Sequence, residues 1–341
     1  MGDTQDLTRV LFIGGTGNIS IAATRLLAEQ GVDLTVLNRG RSEVSLPDGV
    51  STIPADIRDR SSCSDALRGA QFDVVVDWVA FTPEHIATDI ALFGGAISQY
   101  LFISSATVYR KPSPFFPLVE EAPLGNAEWR YAREKIACED LLHREHERSG
   151  FPFTIVRPSY TYGETWIPTA VEGTGYTIVD RMLRGRKVIV PGDGTSLWTM
   201  THNTDFARGI VGLVGNDEAV GESFHITADE VLTWNQITET IASATGLQAD
   251  IVHIPSDFIA AVDPELGVGL LADKAHSLVF DNSKIKRFVP TFEAAVPLAD
   301  GIARSLAWFD ADPARKVVDM QRDALLERIV ATYEAGWPTA A

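Results

Sequence analysis

The sequence predicts an α/β fold: a doubly wound parallel sheet with a smaller, discontinuous α+β lobe. Short runs rich in β-branched residues alternate with helical patterns through the first half of the chain. A glycine-rich loop joins the first of these runs to the first helix. After Pro158, glycine and proline turn signals become frequent and the alternation becomes irregular. We therefore expect the second lobe to be built from separated segments that close over the sheet.

The predicted strands of the sheet are short and almost continuously apolar. They cover residues 10–13, 33–37, 73–77, 100–104 and 153–157, and a further strand precedes Ala55. Strands of this composition, separated by helices, are typical of a parallel sheet that is covered on both faces. The right-handed crossover rule then gives the doubly wound arrangement.

The first predicted helix covers residues 18–30 and ends before Gly31. Its apolar residues recur at the i, i+3, i+4, i+7 spacing of a buried helix face. They are Ile19, Ala22, Ala23, Leu26 and Leu27. This helix should therefore lie on the sheet with its N-terminus at the glycine-rich loop.

Turn signals and composition divide the chain into two lobes. Residues 1–158 and about 195–230 are predicted to form a dinucleotide-binding domain, and residues about 159–194 and 231–341 a substrate lobe. A helix over residues 319–334 carries one apolar stripe, so it should pack on another part of the protein or on a partner subunit. A partner subunit on this stripe would make the protein a homodimer. Separately, we expect a loose tail from residue 338 onward.

The charge and cysteine counts exclude several classes of protein. The 341 residues include 29 Lys and Arg against 46 Asp and Glu, a net charge of −17, so nucleic acid is not expected as a principal partner. Cys63 and Cys138 cannot form a disulfide framework. Since no signal peptide and no stretch of about 18 apolar residues is present, we expect a cytoplasmic protein without a membrane partner. His143 and His146 lack a third ligand nearby, so no metal site is predicted.

The glycine-rich loop is the first candidate binding site. Gly14 allows a tight turn after the strand, and Gly17 allows the backbone to approach a pyrophosphate. The helix that follows presents free N–H groups and a partial positive charge to that anion. Ser20 occupies the third position of the motif, where glycine is usual, so slightly looser helix packing is expected there.

The residues after the second strand bear on the choice between NAD and NADP. Asn38 lies close to where an acidic residue would hold the adenosine ribose of NAD. Arg39 and Arg41 offer guanidinium groups that suit a 2′-phosphate, which favours NADP, although both could be solvated loop charges. Asp56 could accept a hydrogen bond from the adenine amino group.

A tyrosine and a lysine form the candidate catalytic pair. Tyr131 and Lys135 are four residues apart in a helical pattern, which places both side chains on one helix face. A neighbouring ammonium lowers the pKa of a phenol, so the pair could exchange a proton with an alcohol or a carbonyl. Ser104, Ser105 and Thr107 follow a predicted strand at the sheet edge where sites are built, and supply hydroxyls to orient a substrate oxygen.

Together these motifs resemble the extended short-chain dehydrogenase/reductase superfamily, which has a Rossmann-type sheet. The specific branch resembled is the NAD-dependent epimerase/dehydratase family, which includes UDP-glucose 4-epimerase. The matching motifs, in chain order, are Gly14-x-x-Gly17, Asp56-Ile57, Ser105-Ala-Thr107-Val-Tyr109, Tyr131-x-x-x-Lys135, Arg157-Pro158 and Tyr162-Gly163. The resemblance covers residues from about 9 to about 230, with weaker similarity to about 310.

The resemblance implies a role for each matching position. Tyr131 would be the general acid/base, Lys135 would bind the nicotinamide ribose, and Ser105 would orient the substrate with Thr107 nearby. Hydride transfer at a secondary alcohol or ketone would follow, with NADP or NAD as cofactor. The implied cofactor-binding set is Gly14, Thr16, Gly17, Asn18, Ile19, Asn38, Arg39, Arg41, Asp56, Ile57, Trp78, Val79, Ala80, Ser104, Tyr131, Lys135 and Pro158.

Two departures from the family pattern concern the substrate. Tyr160 stands where nucleotide-sugar enzymes often have asparagine, and Trp198 stands where they often have an arginine that grips the diphosphate. An indole cannot neutralise a diphosphate but can stack on a sugar ring, and Trp166 is a further candidate wall of the site. We therefore expect a free sugar, a sugar acid or a similar polyol-like carbonyl compound. This expectation fails if another arginine takes over the phosphate role; the candidates are Arg130, Arg181 and Arg184.

The sequence leaves the net reaction open. An epimerase returns the hydride to the substrate, whereas a dehydrogenase or an NADPH-dependent carbonyl reductase leaves the cofactor altered. A nucleotide-sugar 4-epimerase is a third possibility. A non-catalytic NAD(P)-binding regulator on the same fold is the alternative from another class, and the presence of Tyr131 and Lys135 argues against it.

Overall fold

A seven-stranded parallel sheet lies at the centre of the computed structural model, which describes residues 8–336. Its strands are β1 (Arg9–Ile13), β2 (Asp33–Asn38), β3 (Ser51–Pro54), β4 (Val74–Asp77), β5 (Gln99–Ile103), β6 (Phe153–Pro158) and β11 (Ser223–Ile226). Their spatial order is β11-β6-β5-β4-β1-β2-β3, and every pairing is parallel. The order reverses between β1 and β4, where doubly wound sheets open a crevice at the carboxyl ends of their strands. The predicted fold class is confirmed.

Six further strands form three two-stranded sheets outside the central sheet. They are β7 (Tyr160–Tyr162), β8 (Val188–Pro191), β9 (Leu197–Trp198), β10 (Met200–His202), β12 (Leu232–Thr233) and β13 (Ile251–Ile254), paired as β10-β7, β12-β9 and β13-β8.

The helices follow the sheet strands and then dominate the C-terminal part. They are α1 (Ser20–Glu29), α2 (Arg60–Ala66), α3 (Pro83–Phe93), α4 (Arg130–Ser149), α5 (Thr177–Leu183), α6 (Asn203–Leu213), α7 (Trp234–Ala244), α8 (Ser256–Val262), α9 (Pro264–Gly269), α10 (Ser283–Phe288), α11 (Leu298–Asp310) and α12 (Met320–Ala335). A π-helical turn, Leu270–Lys274, continues from α9.

The sheet is covered on both faces, as its apolar strands require. One face packs against α1, α6 and α10, whose apolar side chains share a core with alternate residues of the strands. The other face packs against α2, α3 and α4, where Cys63 and Cys138 are buried. Alternate side chains of each strand point to opposite faces, so one continuous apolar run supplies both cores.

The first helix begins two residues later than predicted. Asn18 and Ile19 form a turn, and α1 starts at Ser20, which is 3% exposed. The Ser20 hydroxyl accepts a hydrogen bond from the Gly17 N–H at 2.9 Å and donates to the Gly17 carbonyl at 3.3 Å. The serine hydroxyl is therefore satisfied within the turn, so it can be buried without an unpaired polar atom.

A separate apolar core lies outside the sheet and is formed by the C-terminal segments together with apolar side chains of residues 106–122. The helix predicted over residues 319–334 is α12, and it buries Leu326 and Ile329 in this core of its own chain. Arg181 of α5 also forms a buried ion pair with Asp323 of α12 at 2.6 Å. The apolar stripe of α12 is thus covered within the chain.

The division of the chain into two lobes stays a prediction. Residues 159–194 and most of 231–336 share the core of the C-terminal lobe. The helix α10, which the division assigns to that lobe, packs on the sheet because Ile285 and Val289 join its core. The predicted loose tail from residue 338 lies outside the described residues. In the described part of the chain, every helix is too short or too polar to cross a membrane.

Candidate active site

The glycine-rich loop turns sharply where β1 meets α1. Gly14 has a φ of +100°, and a Cβ added there would lie 3.2 Å from both Trp78 Cβ and Val79 Cγ1. The Gly14 N–H donates to the Leu37 carbonyl at 2.9 Å, which fixes the loop against β2. A larger residue at position 14 would therefore be strained as well as crowded.

The loop leaves backbone donors at the start of α1. Within residues 8–336, no hydrogen-bond acceptor is found for the N–H groups of Thr16 and Asn18. Below them, Thr24 holds the loop by donating its hydroxyl to the Gly15 carbonyl at 2.7 Å. A rigid loop with unpaired N–H groups at a helix N-terminus suits a phosphate.

A cleft of about 360 Å³ opens beside this loop, and we call it the glycine-loop cleft. The residues that line it are Ile13, Gly14, Thr16, Leu37, Asn38, Arg39, Arg41, Ser42, Ala55, Asp56, Ile57, Arg58, Val79 and Phe81. Eight of these were predicted from the sequence as cofactor-binding residues. Its three cations, Arg39, Arg41 and Arg58, are all exposed.

The first turns of α4 place Tyr131 and Lys135 on one face of the helix. Lys135 is 2% exposed, and its Nζ donates to the carbonyls of Ala80 and Ile103, each at 2.7 Å. The same Nζ lies 4.8 Å from the ring centroid of Phe81 and 5.8 Å from that of Tyr131. The lysine thus connects α4 with the ends of two sheet strands.

Burial dominates the pKa values of this pair. It lowers the pKa of Lys135 to about 8. Burial also raises the pKa of Tyr131, and the negative charge of Asp273 raises it further, while hydrogen bonding to the Ser105 hydroxyl lowers it. The sequence predicted that Lys135 would lower the Tyr131 pKa. In this structure the ammonium is directed at two carbonyl oxygens instead, and the net effect on the phenol is upward.

A second cavity, also of about 360 Å³, is lined by Tyr131, and we call it the Tyr131 cavity. Its lining residues are Ile19, Ser105, Ala106, Thr107, Trp129, Tyr131, Pro158, Ser159, Tyr160, Thr161, Trp166, Trp198, Asp273 and Leu278. It therefore brings together Tyr131, Ser105 and Thr107, and the Thr107 hydroxyl donates to Ser105 Oγ at 3.1 Å. These hydroxyls converge on a space that is otherwise mostly aromatic and apolar.

The three residues predicted as substrate walls all line the Tyr131 cavity. Trp198 is only 2% exposed, because its ring packs against Trp234 with centroids 5.3 Å apart. The Tyr160 hydroxyl donates to the Thr169 carbonyl at 3.2 Å, and burial raises its pKa to about 12. Trp166 is half-buried at the cavity wall. Trp198 thus offers little ring surface for stacking.

Other predicted cofactor residues lie near the two cavities without lining the glycine-loop cleft. Trp78 packs its indole against Phe12 and Phe206 under the loop. Ser104 donates its hydroxyl to Glu139 in a buried network, so it points away from the cleft. Ala80 contributes only its carbonyl, which accepts from Lys135.

Three predicted positions, Thr16, Gly17 and Asn18, border a third groove, which lies between α1 and α6. The Asn18 amide donates to the Thr161 carbonyl at 3.2 Å, and the Asn18 carbonyl accepts from Asn203 Nδ2 at 2.7 Å. These bonds connect the glycine loop with the segment after β6.

The three arginines that could have replaced the missing phosphate ligand are all paired elsewhere. Arg130 is exposed and faces Glu134. Arg184 pairs with Asp180, and the buried Arg181 with Asp323. None of the three lines the Tyr131 cavity.

Asp273, Arg58 and Phe81 are among the residues at these sites that were not predicted from the sequence. Asp273 reaches the Tyr131 cavity from the C-terminal lobe, and no local motif marks it. Arg58 follows the predicted Asp56-Ile57 pair by one position, so its place in the chain could have indicated it. Phe81 follows the predicted Trp78 to Ala80 segment in the same way. Among residues 8–336 there is no group of three or more His, Cys, Asp or Glu residues that could hold a metal ion.

Comparison with protein families gives a match over most of the sheet domain. The family described as the NAD dependent epimerase/dehydratase family matches residues 10–227. A chloroplast stem-loop binding protein of 41 kDa from Arabidopsis thaliana is 27% identical over 73% of this chain and 67% of its own length. A 2′-dehydrokanamycin reductase from Streptomyces kanamyceticus is 23% identical over 85% of this chain and 81% of its own length.

Solved structures share the fold at low sequence identity. The UDP-glucose 4-epimerase from Bifidobacterium longum, in complex with NAD+ and UDP, has a TM-score of 0.72 and 19% identity, over 90% of this chain and 99% of the other. An epimerase from Methanothermobacter thermautotrophicus has a TM-score of 0.74 and 18% identity, over 91% and 94% of the two chains. These likenesses concern the arrangement of the elements.

Proposed function

The chain belongs to the NAD-dependent epimerase/dehydratase family of extended short-chain dehydrogenase/reductase enzymes, and on that premise we propose that it moves a hydride at a secondary alcohol or ketone of a sugar-like substrate that is not a nucleotide sugar. The observation that carries this proposal is the Tyr131 cavity. Tyr131, Ser105 and Thr107 present hydroxyls there, and among residues 8–336 no arginine or lysine lines it.

The glycine-loop cleft fits the dinucleotide. The unpaired N–H groups of Thr16 and Asn18 suit its pyrophosphate, and Asn38, Arg39 and Arg41 lie where the adenosine ribose would be held. Lys135, now bonded to two carbonyls, would hold the nicotinamide ribose. When bound, NAD(P) accepts or donates the hydride. The two arginines favour NADP, because a guanidinium pairs well with a 2′-phosphate.

Tyr131 would exchange the proton with the substrate oxygen. Because burial raises its pKa, the phenol is protonated near neutral pH and can donate to a carbonyl oxygen. Ser105 and Thr107 would orient that oxygen. Proton donation by Tyr131 is the step that a ketone reduction needs, so a carbonyl reductase is the second candidate within this class.

The charges of the cavity argue against a nucleotide sugar. A diphosphate needs cationic or N–H donors, whereas the only charged side chain that lines the Tyr131 cavity belongs to Asp273. The reductase relative from Streptomyces is named for a substrate without nucleotide. A nucleotide-sugar 4-epimerase, the activity named for several fold neighbours, fits these side chains less well.

A non-catalytic regulator remains the alternative from another class. The Arabidopsis relative is named for stem-loop binding, but a net charge of −17 is unfavourable for binding RNA phosphates. The buried Tyr131 and Lys135 pair also has no obvious use in a protein that only binds the cofactor.

The experiment that tests the proposal is a screen of sugars, amino sugars and sugar ketones with NAD and NADP. Absorbance at 340 nm and product stereochemistry are followed together. A net absorbance change indicates a reductase or dehydrogenase, whereas inversion without a change, with NAD retained through purification, indicates an epimerase.

Tyr131→Phe provides the mechanistic control in that screen. Loss of the acid should lower turnover about 10²- to 10⁴-fold with cofactor affinity nearly intact. Tyr333→Phe, on α12 far from both cavities, is the matched control and should keep full activity. Undiminished turnover by Tyr131→Phe would exclude the mechanism.

A further inference from the structure

We propose that Asp273 selects the substrate by accepting a hydrogen bond from one of its hydroxyl or ammonium groups, and that the Tyr131 cavity therefore disfavours sugar acids. This inference rests on the proposed function, since it concerns the substrate of the same site. It narrows the substrate class, because the sequence alone left a sugar acid among the candidates.

The charge balance of the Tyr131 cavity is the first support. Its lining includes aromatic rings, small hydroxyls and one carboxylate, that of Asp273. Lys111 pairs with Asp273 and balances its charge, but no lysine or arginine is among the lining residues, so a carboxylate of the substrate would find no cation beside it and would face the Asp273 oxygens. A hydroxyl or an ammonium would instead donate to the carboxylate.

The pairing of Asp273 leaves one oxygen available. Lys111 donates to Oδ1, and the two side chains are 4% and 8% exposed. Among the described residues no donor is found for Oδ2, although Asp273 faces the cavity. The ion pair therefore lowers the cost of burying the carboxylate while one of its oxygens remains free for a ligand.

The backbone around Asp273 is held firmly in place. The indole N–H groups of Trp198 and Trp234 both donate to the Lys274 carbonyl, at 3.2 and 2.9 Å. The Asn126 amide bridges the carbonyls of Ala272 and Thr107, at 2.7 and 3.0 Å. These bonds fix the π-helical turn that carries Asp273 directly to the loop that carries the Thr107 hydroxyl.

These hydrogen bonds give Trp198 a role other than stacking on a substrate. Its ring is buried against Trp234, so its main contribution is the hydrogen bond that positions the turn next to Asp273. Trp198 is then a positioning residue, and Asp273 is the residue that touches the substrate.

The decisive experiment measures binding, so that it does not depend on turnover. Three probes, D-glucosamine, D-glucose and D-glucuronate, are titrated into the protein with and without NADP by calorimetry, and each charged probe differs from glucose in one group, the C2 ammonium or the C6 carboxylate. In the wild-type protein we expect glucosamine and glucose to bind more tightly than glucuronate, by at least about tenfold. If glucosamine binds more tightly than glucose, an ammonium is the preferred donor to Asp273. If glucose binds more tightly, a hydroxyl is the preferred donor.

Two variants test whether the Asp273 carboxylate causes this order of affinities. Asp273→Asn should weaken glucosamine binding at least about tenfold and reduce the discrimination against glucuronate. Because this change leaves Lys111 buried without its partner, the charge-balanced pair Lys111→Met with Asp273→Asn serves as a second variant that protects the fold. Asp257→Asn, at an exposed position on α8, is the matched control and should behave as wild type.

The outcomes separate this inference from the proposed function. Binding in the expected order without turnover of any sugar would contradict the proposed function and support the role of Asp273. Turnover of sugars together with equal or tighter binding of glucuronate, or with an unchanged order in both Asp273 variants, would overturn the role of Asp273. Failure of all three probes to bind would also count against it.

Discussion

The glycine-loop cleft and the Tyr131 cavity have similar volumes, about 360 Å³ each, yet they are built in different ways. The residues that line the cleft all lie between positions 13 and 81, and the donors proposed for phosphate are backbone N–H groups. The cavity is lined by residues from 19 to 278, and its chemistry comes from side chains. The cleft carries three arginines, whereas the only charge that lines the cavity is a carboxylate. Under the proposed function, positive charge would lie beside the dinucleotide and not beside the substrate.

This difference shows which part of a site a local motif can specify. A backbone turn depends on the few residues that form it, so glycines at fixed spacing are sufficient to define the cleft. A cavity between lobes depends on which distant side chains the fold brings together. Substitutions in the glycine-loop cleft should therefore have different effects from substitutions near the Tyr131 cavity.

The largest expected effect concerns a buried carboxylate beneath the Tyr131 cavity. Glu172 is 2% exposed and accepts a hydrogen bond from the Ile189 N–H at 3.1 Å, and burial raises its pKa to about 7. As the pH rises, the unfolded state therefore loses this proton near pH 4.5, whereas the folded state keeps it until about pH 7. Stability from this group is present below about pH 4.5 and is lost as the pH rises through about 7.

Glu172→Gln should remove that pH dependence. From pH 5.5 to 8, the stability of the wild-type protein relative to the variant should fall by roughly 2 kcal/mol. The measurement is urea unfolding at several pH values, with Glu239→Gln on the exposed side of α7 as the control. If the free energies of unfolding of the wild type and of Glu172→Gln change in the same way with pH, the ionisation of Glu172 does not control stability in this pH range.

The next effect isolates the glycine-loop cleft. A Cβ added at Gly17 would meet only Ser20 Oγ within 4 Å, at 3.6 Å, and its φ is not positive, so the fold accommodates alanine there. The same Cβ would obstruct the approach of a pyrophosphate to the loop. Gly17→Ala should therefore weaken cofactor binding about tenfold or more and leave the free energy of unfolding within about 0.5 kcal/mol.

Gly14→Ala is the matched comparison. Its φ of +100° and the contacts at 3.2 Å predict a loss of stability of about 1–2 kcal/mol as well as of binding. Calorimetry with NAD and thermal unfolding distinguish the two variants. If Gly17→Ala and the wild type bind the cofactor with equal affinity, the pyrophosphate does not bind at this loop.

The smallest effect tests the choice of cofactor. Replacing both Arg39 and Arg41 by alanine should weaken NADP binding about three- to tenfold, because exposed guanidinium groups contribute modestly. NAD binding should remain unchanged, as it should in Arg144→Ala on the exposed face of α4. An equal loss for NAD and NADP would show that these arginines do not recognise a 2′-phosphate.

Much of the sheet domain was predictable from the sequence. The strands at residues 10–13, 33–37 and 73–77 match β1, β2 and β4 closely, because a buried parallel strand must be an apolar run and such runs are easy to identify. The pairing of Tyr131 with Lys135 follows from helical spacing, and the glycine loop follows from its position between a strand and a helix.

The rest depended on tertiary packing. Asp273 lies 142 residues beyond Tyr131 on an irregular turn, and no periodicity marks it. The direction of the Lys135 ammonium depends on the carbonyls of Ala80 and Ile103, whose positions only the folded sheet defines. Trp198 was identified at the site, but the sequence could not show that Trp234 covers its ring.

The aromatic lining of the Tyr131 cavity has a spectroscopic consequence. Of the six tryptophans within residues 8–336, three line it, Trp129, Trp166 and Trp198, whereas none of the six lines the glycine-loop cleft. Their emission depends on the polarity and hydration of that space. A ligand that displaces water from the cavity should change the intrinsic fluorescence of the protein, so occupancy of the cavity has an optical signal of its own, separate from nicotinamide absorbance.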